Sequence, residues 1–86
     1  MSNASDFIIE NGVLKRYVGS DKAVGIPSFV TRIGDHAFAG CGRVETVVIP
    51  EGVTDIGVRA FSECNKLTSV KIPESVTSIG KWAFHW

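Results

Sequence analysis

Apolar and polar positions along this chain recur with a single period of 23 residues. Ile26, Ile49 and Ile72 are each followed by proline, and Val30, Val53 and Val76 keep the same register. So do Thr31, Thr54 and Thr77, then Ile33, Ile56 and Ile79, then Gly34, Gly57 and Gly80. Ala37, Ala60 and Ala83 follow, with Phe38, Phe61 and Phe84 beside them. A fixed period between about 20 and 50 residues marks a solenoid or array. The units are residues 24–46, 47–69 and a truncated 70–86.

The middle unit predicts the elements. Val47-x-Ile49 alternates as a short half-buried strand does, with Val47 and Ile49 inward and Val48 outward. Pro50 cannot donate a ladder hydrogen bond and ends the strand. Glu51-Gly52 is a turn, and residues 53–56 begin a second extended piece. Gly57 either takes a positive φ or admits close approach of the next unit. Residues 58–63, carrying Ala60 and Phe61, are expected to form one tight helical or 3₁₀ turn. Cys64 and Leu67 then point back inward. One unit cannot enclose eight such side chains, but units stacked at the strand spacing of about 4.8 Å cover one another.

Residues 7–18 stand outside the period. Asn11-Gly12 between two apolar runs is a strong hairpin signal, because both residues tolerate the positive φ of a type I′ turn. A two-residue loop pairs Glu10 with Val13, Ile9 with Leu14 and Phe7 with Arg16. Phe7, Ile9, Leu14 and Val18 then share one apolar face. Residues 6–23 are expected to cap the N-terminal end of the array, which would otherwise present a bare apolar layer. Residues 1–5 read as a disordered remnant of tag removal and are set aside.

The motif V-x-I-P, V-T-x-I-G, A-F, C and L at this period, across residues 24–86, resembles the BspA-like leucine-rich repeats of the Treponema pallidum type. The resemblance implies an α/β repeat: a right-handed leucine-rich-repeat solenoid of about three coils, with short parallel strands and short helical or 3₁₀ turns, preceded by a β-hairpin cap. It also implies a bacterial surface or secreted protein associated with adhesion to host, matrix or other bacterial proteins. No catalytic residue belongs to the motif, so the expectation is a protein that is not an enzyme.

Composition narrows the alternatives. Nine Lys plus Arg balance nine Asp plus Glu, for a formal charge of zero. No basic stripe of a nucleic-acid binder is evident, and no apolar run reaches the roughly 20 residues that span a bilayer. No signal peptide opens the chain. Cys41 and Cys64 lack the short spacing of a zinc site. Stacking brings them within disulfide reach, but a buried free thiol behaves as a small hydrophobe, and a core column of free thiols is the expectation. His36 and His85 have no second ligand at helical spacing, and His36 is expected to point away from Cys41. Neither metal nor cofactor is expected.

Function then rests on the columns that vary: Gly25, Val48 and Lys71; Phe29, Gly52 and Ser75; Arg32, Asp55 and Ser78; His36, Arg59 and Trp82. Repeat proteins build binding faces from variable exposed columns over a uniform core. The candidate partner-binding residues are Phe29, His36, Val48, Arg59, Lys71, Trp82 and Trp86, aromatics being favoured at interface hot spots. Ile79, Ala83 and Phe84 have no following unit to cover them. Either the chain is a fragment of a longer array, or a second copy covers that end; the homo-oligomer through the C-terminal end, its seam closed with the help of Trp82 and Trp86, is the second functional expectation.

Phe61→Ala is expected to cost about 3–5 kcal/mol, enough to unfold a domain whose whole stability is of order 5–15 kcal/mol. Val48→Ala is expected to leave the urea midpoint where it is. Reversed effects would place the register one residue off.

Overall fold

Phe7–Glu10 (β1) and Val13–Tyr17 (β2) flank Asn11-Gly12, whose φ values of 52° and 78° close the two-residue turn. The computed structural model describes residues 4–85. Past the hairpin, each period contributes two short strands. Ala23–Gly25 (β3), Thr46–Val48 (β5) and Ser69–Lys71 (β7) form one parallel sheet in that order. Arg32–Ile33 (β4), Asp55–Ile56 (β6) and Ser78–Ile79 (β8) extend a second sheet of order β1-β2-β4-β6-β8, antiparallel at β1/β2 and parallel beyond. The result is a solenoid-like repeat fold of two narrow sheets with almost no helix.

The register follows the period. Val24, Val47 and Val70 pair across the first sheet, and Ile33, Ile56 and Ile79 across the second. Leu14 of the hairpin pairs with Ile33 and continues that column. The eight side chains expected inward in the middle unit, Val47, Ile49, Val53, Ile56, Ala60, Phe61, Cys64 and Leu67, are all buried. Threonine keeps its own column for a polar reason. Thr54 donates both its N–H (2.9 Å) and its hydroxyl (3.4 Å) to the Thr31 carbonyl, and Thr77 does the same to Thr54. Thr31 donates to Gly12, so the hairpin turn also serves as the corner of a layer.

The outer half of the hairpin departs from simple alternation. A bulge shifts the register between Ile8 and Ile9, so Phe7 faces Tyr17 and Ile8 faces Arg16; the expected pair Phe7–Arg16 does not form. One extra residue on a strand reverses the inward set beyond it. Tyr17 is therefore buried, and Val18, expected inward, is 53% exposed. The exchange places the Tyr17 ring between those of Phe7 and Phe38, at centroid distances of 5.2 and 5.1 Å. Phe61 and Phe84 continue the column at 4.9 and 5.1 Å, their planes turning to within 2° of parallel. Such pairs contribute about 0.5–1.5 kcal/mol each beyond area burial.

Two further expectations are corrected. Residues 58–63 form no helical turn. Arg59 and Glu63 take φ values of 56° and 59°, incompatible with a right-handed helix. Ala60 and Ser62 close i→i+3 turns, while the intervening amides of Arg59, Phe61 and Glu63 donate to the next layer, at Lys81, Ala83 and His85 (2.7–3.1 Å). The amides of His36, Phe38 and Gly40 do the same to Val58, Ala60 and Ser62. A helix would turn these donors onto its own carbonyls and break the ladder. The other correction is at the start, where Ala4–Asp6 forms a 3₁₀ turn and the Asp6 carbonyl accepts from Val18.

Gly57 serves by close approach rather than by positive φ. A Cβ there would lie 2.6 Å from the Asp35 nitrogen and 2.6 Å from the Gly34 carbonyl carbon. At Gly80 the obstacle is the backbone of Val58 and Gly57. Gly57→Ala is expected to cost about 1–3 kcal/mol or more through overpacking against backbone. Glu63→Gly is expected to stabilise by roughly 0.5–1 kcal/mol, since glycine meets a positive φ without the side-chain penalty. Urea titration of both variants checks the pair; a stabilised Gly57→Ala would contradict the close-approach account.

Candidate binding surface

The two sheets and the turns between them present the variable columns in separate groups. Gly25, Val48 and Lys71 lie in register on the outer side of β3-β5-β7, where Val48 is half exposed and Lys71 exposed. Phe29 sits in the corner that follows, 66% exposed. His36, Arg59 and Trp82 form a column in the turns after β4, β6 and β8, all with φ near 60°. The candidate residues therefore divide between one sheet with its corner and the turn edge beyond the other sheet. Trp86 lies outside the described residues, as does its expected part in closing a seam.

The turn-edge column is the more developed chemically. The Arg59 guanidinium lies 4.4 Å from the Trp82 ring centroid, and the Lys81 ammonium also lies 4.4 Å from it. The His85 ring is 6.3 Å away and tilted by 50°. Lys81 was not among the candidates drawn from the sequence. Its column, Asp35, Val58 and Lys81, also varies, and that variation is the signal that would have found it.

Beside this column runs a shallow groove of about 430 Å³ floored by Gly34, Gly57 and Gly80. Lys15, Arg32, Asp35 and Asp55 line it. Arg32 pairs with Asp55 across β4 and β6 at 3.5 Å. Both side chains are well exposed, so the pair adds little to stability. Asp35 is held differently, its Oδ1 accepting the Val58 amide at 2.8 Å. These groups are committed to joining layers. Among the described residues no cluster of three or more His, Cys, Asp or Glu is placed to hold a metal ion, and no helix is long and apolar enough to cross a membrane.

The cysteines are free. Cys64 is fully buried and its thiol donates to the Phe38 carbonyl at 3.0 Å. Burial, with Cys41 nearby adding to the effect, pushes its pKa up to about 11. Burial raises Cys41 as well, opposed by Arg16. Neither is an activated nucleophile, which requires a depressed pKa. His36 is exposed whereas Cys41 packs against the core.

Comparison with known proteins is consistent across sequence and structure. The family model for the BspA type leucine rich repeat region matches residues 8–86, in six copies. No curated protein matches the chain in sequence. The crystal structure of a T. pallidum leucine-rich repeat protein superposes with a TM-score of 0.91 at 30% identity, covering 98% of this chain and 44% of that one. A leucine-rich repeat protein from Bacteroides capillosus gives 0.83 at 29% identity, covering 96% of this chain and 72% of that one. A leucine rich cell surface protein from Faecalibacterium prausnitzii gives 0.80 at 30% identity, covering 98% and 27%. This chain thus spans less than half the length of the first and third.

The raised thiol pKa sets a pH dependence. Folding favours the protonated thiol, so the contribution of Cys64 is complete below pH about 8.5, the ordinary cysteine value, and is lost as pH rises toward about 11. Unfolding midpoints measured across that window are expected to fall less in Cys64→Ala than in the parent chain. Thiol reagent on the native protein is expected to label Cys41 before Cys64.

Proposed function

Because the chain belongs to the BspA-type leucine-rich repeat family, we propose that it is a non-catalytic protein-binding module that presents variable columns of a right-handed solenoid of about three coils to a partner protein. In this reading residues 24–86 are the solenoid and the hairpin, within residues 6–23, is its N-terminal cap. Members of this family are in general protein-interaction modules. One observation carries the reading: the uniform aliphatic and phenylalanine columns of the first two units are buried, and no residue of the four variable columns is. Ile56, Phe61 and Cys64 are at most 2% accessible, whereas Phe29, Val48 and Trp82 are 66%, 51% and 48%. Residues needed for folding are thereby separated from residues free to change with the partner. The partner class is a host, matrix or bacterial protein, and the location is the cell surface or the medium. The cell-surface description of the F. prausnitzii relative supports that location.

A second reading has its own observation. Ile72 and Ile79 are 41% and 52% exposed, while their equivalents one layer up, Ile49 and Ile56, are each 2%. Leu67, Val70, Ile72 and Phe84 line an apolar groove of about 260 Å³ at this end. Such a surface favours self-association as a structural or oligomerisation unit.

The binding reading is tested on immobilised matrix proteins and intact bacterial cells. Saturable binding is expected that Phe29→Ala or Arg59→Ser weakens without moving the unfolding midpoint; binding unaffected by every exposed-column variant would contradict it. Light scattering at micromolar concentration tests the alternative. Self-association abolished by Ile79→Lys supports it, and a monomer at all concentrations removes it.

A further inference from the structure

Arg59 and Lys81 share a single half-exposed indole. Each holds its charge 4.4 Å from the Trp82 centroid, and each is attracted to the ring. Like charges this close also repel. Among the described residues neither has a carboxylate partner; the ion pair formed there is Arg32 with Asp55. The ring therefore holds two unneutralised cations at the surface, with His85 beside them.

The backbone adds a second observation. His36, Arg59 and Trp82 take φ values of 61°, 56° and 58°. The interlayer ladder needs a positive φ in this column, and glycine meets that need at least cost, as Gly40 does four residues after His36 at φ 74°. The chain instead places three large side chains in a conformation that penalises each of them, as it also does with Glu63. In this column all three layers forgo glycine, and backbone strain of this kind clusters at active sites, ligand clamps and switch regions.

We propose that the turn edge formed by Arg59, Lys81 and Trp82, with His36 and His85 at its margins, is a docking site for an acidic segment of a protein partner. This rests on the protein-binding reading and specifies the chemistry of the partner. A carboxylate meets the planar fork of Arg59 in a two-point hydrogen bond, and a second carboxylate neutralises Lys81. The exposed part of the indole packs on the partner's backbone. Two cations on a chain of zero net charge suit a short acidic peptide. They do not suit a polyphosphate backbone or a sulfated glycan, which calls for an extended basic track.

The test is chemical-shift mapping on the ¹⁵N-labelled full chain with three probes: a decapeptide alternating Glu and Ser, the same peptide with Gln for Glu, and a heparin octasaccharide. The Glu peptide is expected to shift the Arg59, Lys81 and Trp82 amides and the Trp82 indole saturably, with weakening as salt rises. Arg59→Ser with Lys81→Ser is expected to weaken it roughly tenfold or more, with the spectrum elsewhere preserved. Equal response to the Gln peptide, tighter binding of heparin, or no shift at millimolar Glu peptide would each overturn the proposal. Shifts confined to Phe29, Val48 and Lys71 would overturn it too, while leaving the protein-binding reading intact.

Discussion

The structure depends on alternate backbone amides that bond outward, to the adjacent layer, rather than within their own turn. Phe38 donates to Ala60, and Phe61 donates to Ala83, each at 2.7 Å. Gly57 and Gly80 donate to Ile33 and Ile56, also at 2.7 Å. A layer held by such bonds must lie directly on its neighbour, at the strand spacing. This requirement selects the residues. Only glycine admits the backbone of Gly34 against Gly57. Phenylalanine one layer above phenylalanine stacks at the same separation. A threonine above a threonine closes two hydrogen bonds instead of one.

The same constraint separates structure from recognition. Columns that point into the stack are locked by the layers on either side, so they repeat. Most columns that point out meet solvent and vary; threonine, exposed but bonded layer to layer, repeats. The turn edge belongs to both sets. Its backbone is held by the ladder and bent into the left-handed region, and its side chains are then displayed in a fixed row, one per layer. In the proposed docking, the backbone that carries this row is already fixed by the ladder, which lowers the entropy lost on association.

Most of the fold was legible in the period. The inward columns, the sheet register and the hairpin turn at Asn11-Gly12 all follow from residue identity at fixed spacing. Three features were not. The bulge between Ile8 and Ile9 answers to the Phe38 ring, which only tertiary packing brings beside Tyr17. The turn at residues 58–63 reads as helical because Ala60 and Phe61 suit a helix; the backbone bonds that forbid it run to residues 22 positions away in sequence. Ala83, grouped with the uncovered end, is buried, whereas Ile79 remains half exposed. As for the candidate binding surface, the column of His36, Arg59 and Trp82 was visible as variable and aromatic. Lys81 was missed although its column, Asp35, Val58 and Lys81, also varies; that its charge sits over the Trp82 ring is visible only in the fold.

Native-state hydrogen exchange tests the interlayer ladder most directly. The amides of Phe38, Phe61, Gly57 and Gly80 are predicted to exchange only with global unfolding and to share one dependence on denaturant. The amide of Glu51, in an exposed turn, is predicted to exchange far faster. If the Phe38 and Phe61 amides exchanged as fast as that of Glu51 while the strand amides of Val47 and Ile56 stayed protected, the turns would not be bonded layer to layer and the account would be wrong.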